Sequence, residues 1–197
     1  MIKKGTLITI VVIALLGAIT AWVIGCYNTL VTMQENVENA WSQVETQYQR
    51  RSDLVPNLVA TVKGYASHEE ATLVGVMEAR AKASQMTIDP TNVTPEQLAA
   101  FQNAQGELSQ ALGRIMAIAE NYPNLKANEN FRQLADQLEG TENRIAYARQ
   151  MFNDTAKAFN TKIRRFPSNI VAGMFGFERK AYFEAEAGAE QAPVVAF

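Results

Sequence analysis

From Gly5 to Cys26 the chain runs 22 residues without a charged side chain, and beyond that point apolar residues return in steps of seven. A helix over the first stretch is about 33 Å long, enough for a bilayer core of about 30 Å. Trp22 and Tyr27 stand near its end, where interfacial aromatics are expected. A membrane contact through residues 5–26 is therefore predicted. Two other fates of the segment stay open. A cleaved signal peptide is one, although its apolar core is normally only about 7–15 residues. A lipoprotein-like signal is the other, because Val23-Ile24-Gly25 precedes Cys26, a candidate for lipidation. Either way the remainder is held at a membrane.

After the span, one row of apolar positions reads Leu30, Val37, Val44, Leu58, Tyr65, broken by Arg51. A second reads Trp41, Tyr48, Val55, Val62. Steps of seven mark the seam of a helix packed on other helices. One long helix leaving the membrane is predicted, bent near Pro56. Ser67 and Glu70 form a candidate capping box for a helix over about 68–84. Thr94-Pro95-Glu96-Gln97 is a stronger start, with an N-cap threonine, a proline at the first position and Gln at the third. The helix it opens carries Phe101, Leu108, Leu112, Ile115 and Ile118, and Asn121-Tyr122-Pro123-Asn124 ends it.

A last long helix begins near Asn128. Phe131, Leu138, Ile145, Phe152, Phe159 and Phe166 form its first row, and Leu134, Thr141, Ala148 and Thr155 its second; Pro167 stops it. No useful strand-like alternation occurs. The predicted fold is all-α: a transmembrane helix continuing into an elongated antiparallel bundle of about four helices. The organisation reads as a tail and span over 1–26, a bundle over 27–167 and a C-terminal block over 168–197. In that block a glycine-broken apolar run, 169–177, and Lys180-Ala181-Tyr182-Phe183-Glu184 are suited to dock on the bundle or on a neighbour. Glu186 to Phe197 reads as loose.

Charge narrows the partners. The formal net charge is -2, with 18 basic and 20 acidic side chains. Setting apart Lys3 and Lys4, which precede the span, leaves 16 basic against 20 acidic. No concentrated basic face for nucleic acid is expected. Those two lysines, against Glu35, Glu38 and Glu45 beyond the span, put the N-terminus in the cytoplasm and the domain outside. One cysteine and one histidine exclude an internal disulfide framework and argue against a Cys/His zinc site. In the span, Ala14 and Ala18, and Gly17 and Ala21, are small residues four apart, a spacing that lets helices approach closely.

Two polar strings stand out. Arg50, Arg51, Asp53 and Asn57 flank the predicted bend; Glu142, Asn143, Arg149 and Asn153 share one broad face of the last helix. They are read either as a buried network that fixes register and satisfies the backbone freed by Pro56, the favoured reading, or as a surface for an anionic or peptide partner. His68 beside Glu69 could move a proton, but no nucleophile, second histidine or metal shell accompanies the pair. No cofactor is expected: no glycine-rich phosphate loop follows a strand.

The sequence resembles the LemA family in Tyr27-Asn28-x-Leu30-Val31, Ala40-Trp41-Ser42-Gln43-Val44-Glu45 and Gln47-Tyr48-Gln49-Arg50-Arg51-x-Asp53-Leu54-Val55-Pro56-Asn57-Leu58-Val59. The likeness continues through Val62-Lys63-Gly64-Tyr65-Ala66-x-His68-Glu69, Asn121-Tyr122-Pro123-x-Leu125-Lys126-Ala127, Glu142-Asn143-x-Ile145-x-x-Ala148-Arg149-x-x-Phe152-Asn153 and Phe159-Asn160. It spans about Tyr27 to Phe183; Phe152 stands where a tyrosine is commoner. The resemblance implies a membrane-anchored bacterial helical bundle, with a tiny tail across the membrane from the domain and a scaffold or accessory role beside membrane proteases or TPM-domain proteins. A non-enzymatic scaffold that forms a homo-oligomer and organises envelope proteins is the expected function. The alternatives are an adaptor or regulator of a membrane protease or client peptide, and an unrecognised hydrolase using His68 and Glu69.

Overall fold

A computed structural model describes residues 4–184. Lys3, used above for orientation, and the tail from Glu186 to Phe197 lie outside the described residues. Six helices follow in order: α1 (Lys4–Lys63), α2 (Glu70–Gln85), α3 (Pro95–Asn121), α4 (Pro123–Lys126), α5 (Glu129–Arg164) and α6 (Ser168–Phe175). No strand occurs among the described residues.

α1 is a single helix of 60 residues, about 90 Å long, and it continues through Pro56. Its first part carries a charge-free apolar window with none of its area buried within the chain, long and apolar enough to cross a membrane. From Cys26 on, the two rows turn inward. Leu30, Val37, Val44 and Leu58 are buried, as are Trp41, Tyr48, Val55 and Val62. Tyr65, expected on the first row, lies past the helix end and is exposed; its hydroxyl accepts from Asn128 Nδ2 at 2.9 Å.

α5 returns along α1, burying Phe131, Leu138, Ile145, Phe152 and Phe159. Phe166 departs from this row: α5 ends at Arg164, and the ring is 81% exposed. α2 completes the bundle at its distal end, and α3 contributes to both halves. The box at Thr94 forms as expected, with Gln97 N donating to Thr94 Oγ1 at 3.2 Å and Thr94 N to Gln97 Oε1 at 3.0 Å. The box at Ser67 does not. α2 starts at Glu70 with Glu69 at the N-cap and no side-chain cap bond. A turn that buries Ala66 intervenes, and Ala66 O already accepts from Glu69 N, so the helix starts later.

The core is in two parts. The membrane-proximal cluster joins Cys26, Leu30, Trp41, Phe101, Phe152 and Phe159 to Val171 and Phe183. The distal cluster joins Val55, Leu58, Val76, Leu108, Ile115 and Leu138. α2 is only 16 residues long and contributes to the distal cluster alone. In the proximal half its place is taken by the 86–93 loop, through Ile88 and Val93, and by residues 177–183.

Candidate functional site

The boundary between the two clusters is polar. Arg51, on the first row of α1, is 1% exposed. Its Nη1 donates to Ser109 Oγ at 2.6 Å and Glu142 Oε1 at 2.8 Å. Its Nη2 donates to Gln105 O at 3.1 Å and Gln105 Oε1 at 2.5 Å. The guanidinium also lies 5.0 Å from the Tyr48 ring centroid. One side chain thus ties α1 to α3 and α5 in a low-dielectric layer, where charge-assisted hydrogen bonds are strong and registry is narrowly defined.

A second junction explains how α1 tolerates Pro56. Proline lacks the N–H that would bond the carbonyl four residues earlier, so Ser52 O has no helical donor. Arg80 of α2 supplies one, its Nε donating to Ser52 O at 2.8 Å. The Ser52 and Ser84 hydroxyls are 2.9 Å apart one turn further along α2. The polar string around Pro56 was expected to do this; instead the donor comes from a residue that sequence reasoning passed over. Asp53 accepts from Gln49 Nε2 at 2.7 Å. Arg50, Asp53 and Asn57 line an open cleft of about 910 Å³ with Ser84, Met86 and Phe101.

A third arrangement holds the end of the described chain. Residues 177–184, outside any helix, lie against α5 and α3. Asn160 accepts from Lys180 N and donates to Lys180 O, both at 2.8 Å. Asn153, one heptad earlier, accepts from Phe183 N and donates to Phe183 O, both at 2.9 Å. Gln102 of α3 does the same for Glu184, at 3.4 Å and 3.0 Å. Three carboxamides therefore read backbone on both sides, as a neighbouring strand would. Phe183 stacks on Trp41 with centroids 5.7 Å apart and planes 9° off parallel, and Arg149 lies 5.1 Å from its ring. Arg149 Nη2 also donates to Glu184 O at 3.0 Å. Lys180 is buried, and its ammonium donates to Thr91 O. Burial lowers the Lys180 pKa, opposed by the nearby Glu38, Asp89 and Glu178 carboxylates.

Of the eight polar residues singled out, Arg51 and Glu142 meet, and Arg149 and Asn153 together hold the terminal strap. Asn143 is exposed, and Glu142 lines a different cleft from Arg50 and Asn57. Gln102, Gln105, Ser109, Arg80 and Asn160 were missed. Asn160 had a signal, since it repeats Asn153 at seven residues beside the buried phenylalanine row. Cys26 is 7% exposed in the proximal core. His68 is exposed in the turn before α2, while Glu69 accepts from the Tyr122 hydroxyl at 3.2 Å. Burial, then Glu69, raise the Tyr122 pKa. No cluster of three or more His, Cys, Asp or Glu is placed to hold a metal ion among the described residues.

Comparison with known proteins adds identity to this geometry. The LemA family model matches residues 40–197. Magnetosome protein MamQ of Magnetospirillum gryphiswaldense is 30% identical over 206 residues, covering 96% of this chain and 75% of the relative. Magnetosome protein MamQ 2 of Paramagnetospirillum magneticum is 29% identical over 211 residues, covering 98% of this chain and 77% of the relative. Protein LemA of Metamycoplasma hominis is 27% identical over 162 residues, covering 82% and 70%. None of these names denotes an enzyme. An apolar α1 that emerges from a charge-free run, an all-helical bundle behind it and a family model spanning most of that bundle lead to one conclusion: this chain belongs to the LemA family and is a membrane-associated helical protein.

Proposed function

We propose that the chain is a non-enzymatic scaffold that stays anchored by residues 5–26, self-associates, and organises other envelope proteins from the outer side of the membrane. The observation that carries this reading is the continuity of α1: the apolar run and the first bundle helix are one 60-residue element. A stalk of this kind fixes the height and orientation of the domain, which a flexible tether does not. The small residues Ala14, Gly17, Ala18 and Ala21 offer a close-approach face for a second copy in the bilayer. Burial of Cys26 within the core supports an intact span over acylation at that residue. The lysine-first charge pattern supports the outward placement of the domain. Mass measurement of the full chain in mild detergent tests the reading; a strictly monomeric species sinks self-association.

A second reading, an adaptor for a client peptide, is favoured by one feature. The carboxamides of Gln102, Asn153 and Asn160 capture backbone without regard to side chains, the way sheet edges capture peptides. In this fold the captured segment is the chain's own. Crosslinking in intact cells separates the readings: an adaptor yields client proteins joined at the strap groove, a scaffold yields copies of the chain and neighbouring membrane proteins.

A further inference from the structure

α6 presents two apolar faces. Ser168, Val171 and Ala172 are turned into the proximal core. Ile170 and Met174, four residues apart, face away and are exposed, Met174 to 70%; Phe175 beside them is 51% exposed, and Phe166, two residues ahead of the helix, is 81% exposed. Among the described residues the bundle leaves Ile170 and Met174 largely uncovered and covers Phe175 only in part. Their position along α1 is what identifies the cover. The Phe175 ring lies 4.8 Å from that of Tyr27 and the Phe177 ring 5.8 Å from it. Val23 and Cys26 pack in the same cluster as Val171 and Ala172. Tyr27 follows directly on the charge-free run, Trp22 stands five residues earlier within it, and the first charge beyond is Glu35. The bilayer that must cover Leu7 to Ile24 therefore ends at the level where α6 packs.

The geometry points to α6 as an interfacial helix: its outer face, Ile170, Met174 and Phe175, together with Phe166 just ahead of it, is immersed in the same leaflet from which α1 emerges. The occupant of this face is lipid. Four such side chains at these exposures present on the order of 500 Å², well short of the roughly 800 Å² that each partner gives to a standard protein interface. An interfacial helix needs no such area, because it inserts only about 5–10 Å and is anchored already by the span. Arg164 and Arg165 stand at the end of α5, directly before α6, where their heads can reach phosphates while the stems follow the apolar surface. The domain would then rest on the membrane at two points, α1 and α6, and its tilt would be fixed.

This inference rests on the membrane reading of residues 5–26, and the two can fail separately. The native full chain is placed in vesicles of phosphatidylcholine and phosphatidylglycerol, and methionine oxidation by hydroxyl radical generated in the water is followed by mass spectrometry. Met151 is the internal reference. It is 43% exposed and lies beside Ala40 and Gln43, about 20 Å beyond Tyr27 along α1. Exposure within the protein alone makes Met174 the faster of the two. The expected result is the reverse, with Met174 oxidised severalfold more slowly than Met151. Met174 reacting faster than Met151 overturns the inference. So does protection of Met174 that vanishes at one copy per vesicle, which would mean a second copy covers the face. An environment-sensitive fluorophore on Met174→Cys, in a Cys26→Ala background, checks depth directly: quenching by nitroxide-labelled lipid supports immersion, and quenching by iodide as strong as at Tyr147→Cys overturns it. Release of the whole chain by alkaline carbonate would instead sink the membrane reading itself.

Discussion

The Pro56 junction allows a sharp test, because the carbonyl that proline frees and the group that rescues it are both identified. Replacing Arg80 by Met keeps the apolar stem over α1 but removes the donor to Ser52 O. Ser52 is buried, so its carbonyl would be left unsatisfied. A buried unpaired acceptor costs about 1–3 kcal/mol, and partial exposure of Arg80 puts the expected cost in the lower half of that range, about 1.5 kcal/mol. Replacing Pro56 by Ala restores an N–H that can bond Ser52 O directly. In that background Arg80→Met should cost only about 0.5 kcal/mol, for lost packing. The coupling between the two sites is then about 1 kcal/mol. The stability of Pro56→Ala itself does not enter, which is fortunate, since restored helix propensity and increased unfolded-chain entropy oppose each other. Thermal unfolding of the four proteins in one mild detergent, followed by helical circular dichroism, reads the cycle. For a chain of this size the coupling corresponds to about 2–4 °C in the difference of melting shifts. Costs of Arg80→Met that agree in both backgrounds within about 0.3 kcal/mol would refute the reasoning.

Three further outcomes follow from the polar layers. Arg51→Ala should destabilise by about 3–5 kcal/mol and Glu142→Gln by about 1 kcal/mol, because Glu142 is partly exposed and Arg51 is not; equal losses in urea unfolding would contradict this asymmetry. Asn160→Ala strands the N–H and C=O of a buried residue, at about 2–4 kcal/mol locally, and should speed amide exchange over 180–184 while leaving α2 and α3 unchanged. For Lys180, burial lowers the folded pKa below the ordinary value of 10.5, so in the window between them the unfolded chain binds more protons and stability rises with pH. The stability of the native chain relative to Lys180→Met should therefore improve as pH is raised from neutrality towards 10.5, as measured by chemical denaturation at a series of pH values.

The heptad rows were legible because burial on a packed helix imposes a period near seven, and Val37, Val44, Leu138 and Phe152 needed no tertiary knowledge to be placed. Arg51 was legible as a break in a row, which is how a buried charge announces itself, but its partners Gln105 and Ser109 lie more than fifty residues away and carry no matching pattern. Pro56 announced a freed carbonyl without saying which helix would answer it. Ser67 and Glu70 had the right spacing for a cap and lost to a turn that buries Ala66, a tertiary preference that local spacing cannot express. The strap was legible only as a block: Lys180 to Glu184 could be read as a segment that docks on the bundle or on a neighbour, and it docks on the bundle, but nothing beyond Asn153 and Asn160 in step with the phenylalanines marked the carboxamides that hold it.

An unbroken α1 makes the angular position of the domain about the membrane normal a function of residue number. One residue inserted ahead of Val23, where α1 touches nothing else in the chain, advances the bundle by about 100° and lifts it by about 1.5 Å, whereas seven residues return it almost to its starting azimuth. Up to Val23 the chain thus behaves as a keyed shaft, and an insertion series there would separate what depends on the facing of the domain from what depends only on its presence at the membrane.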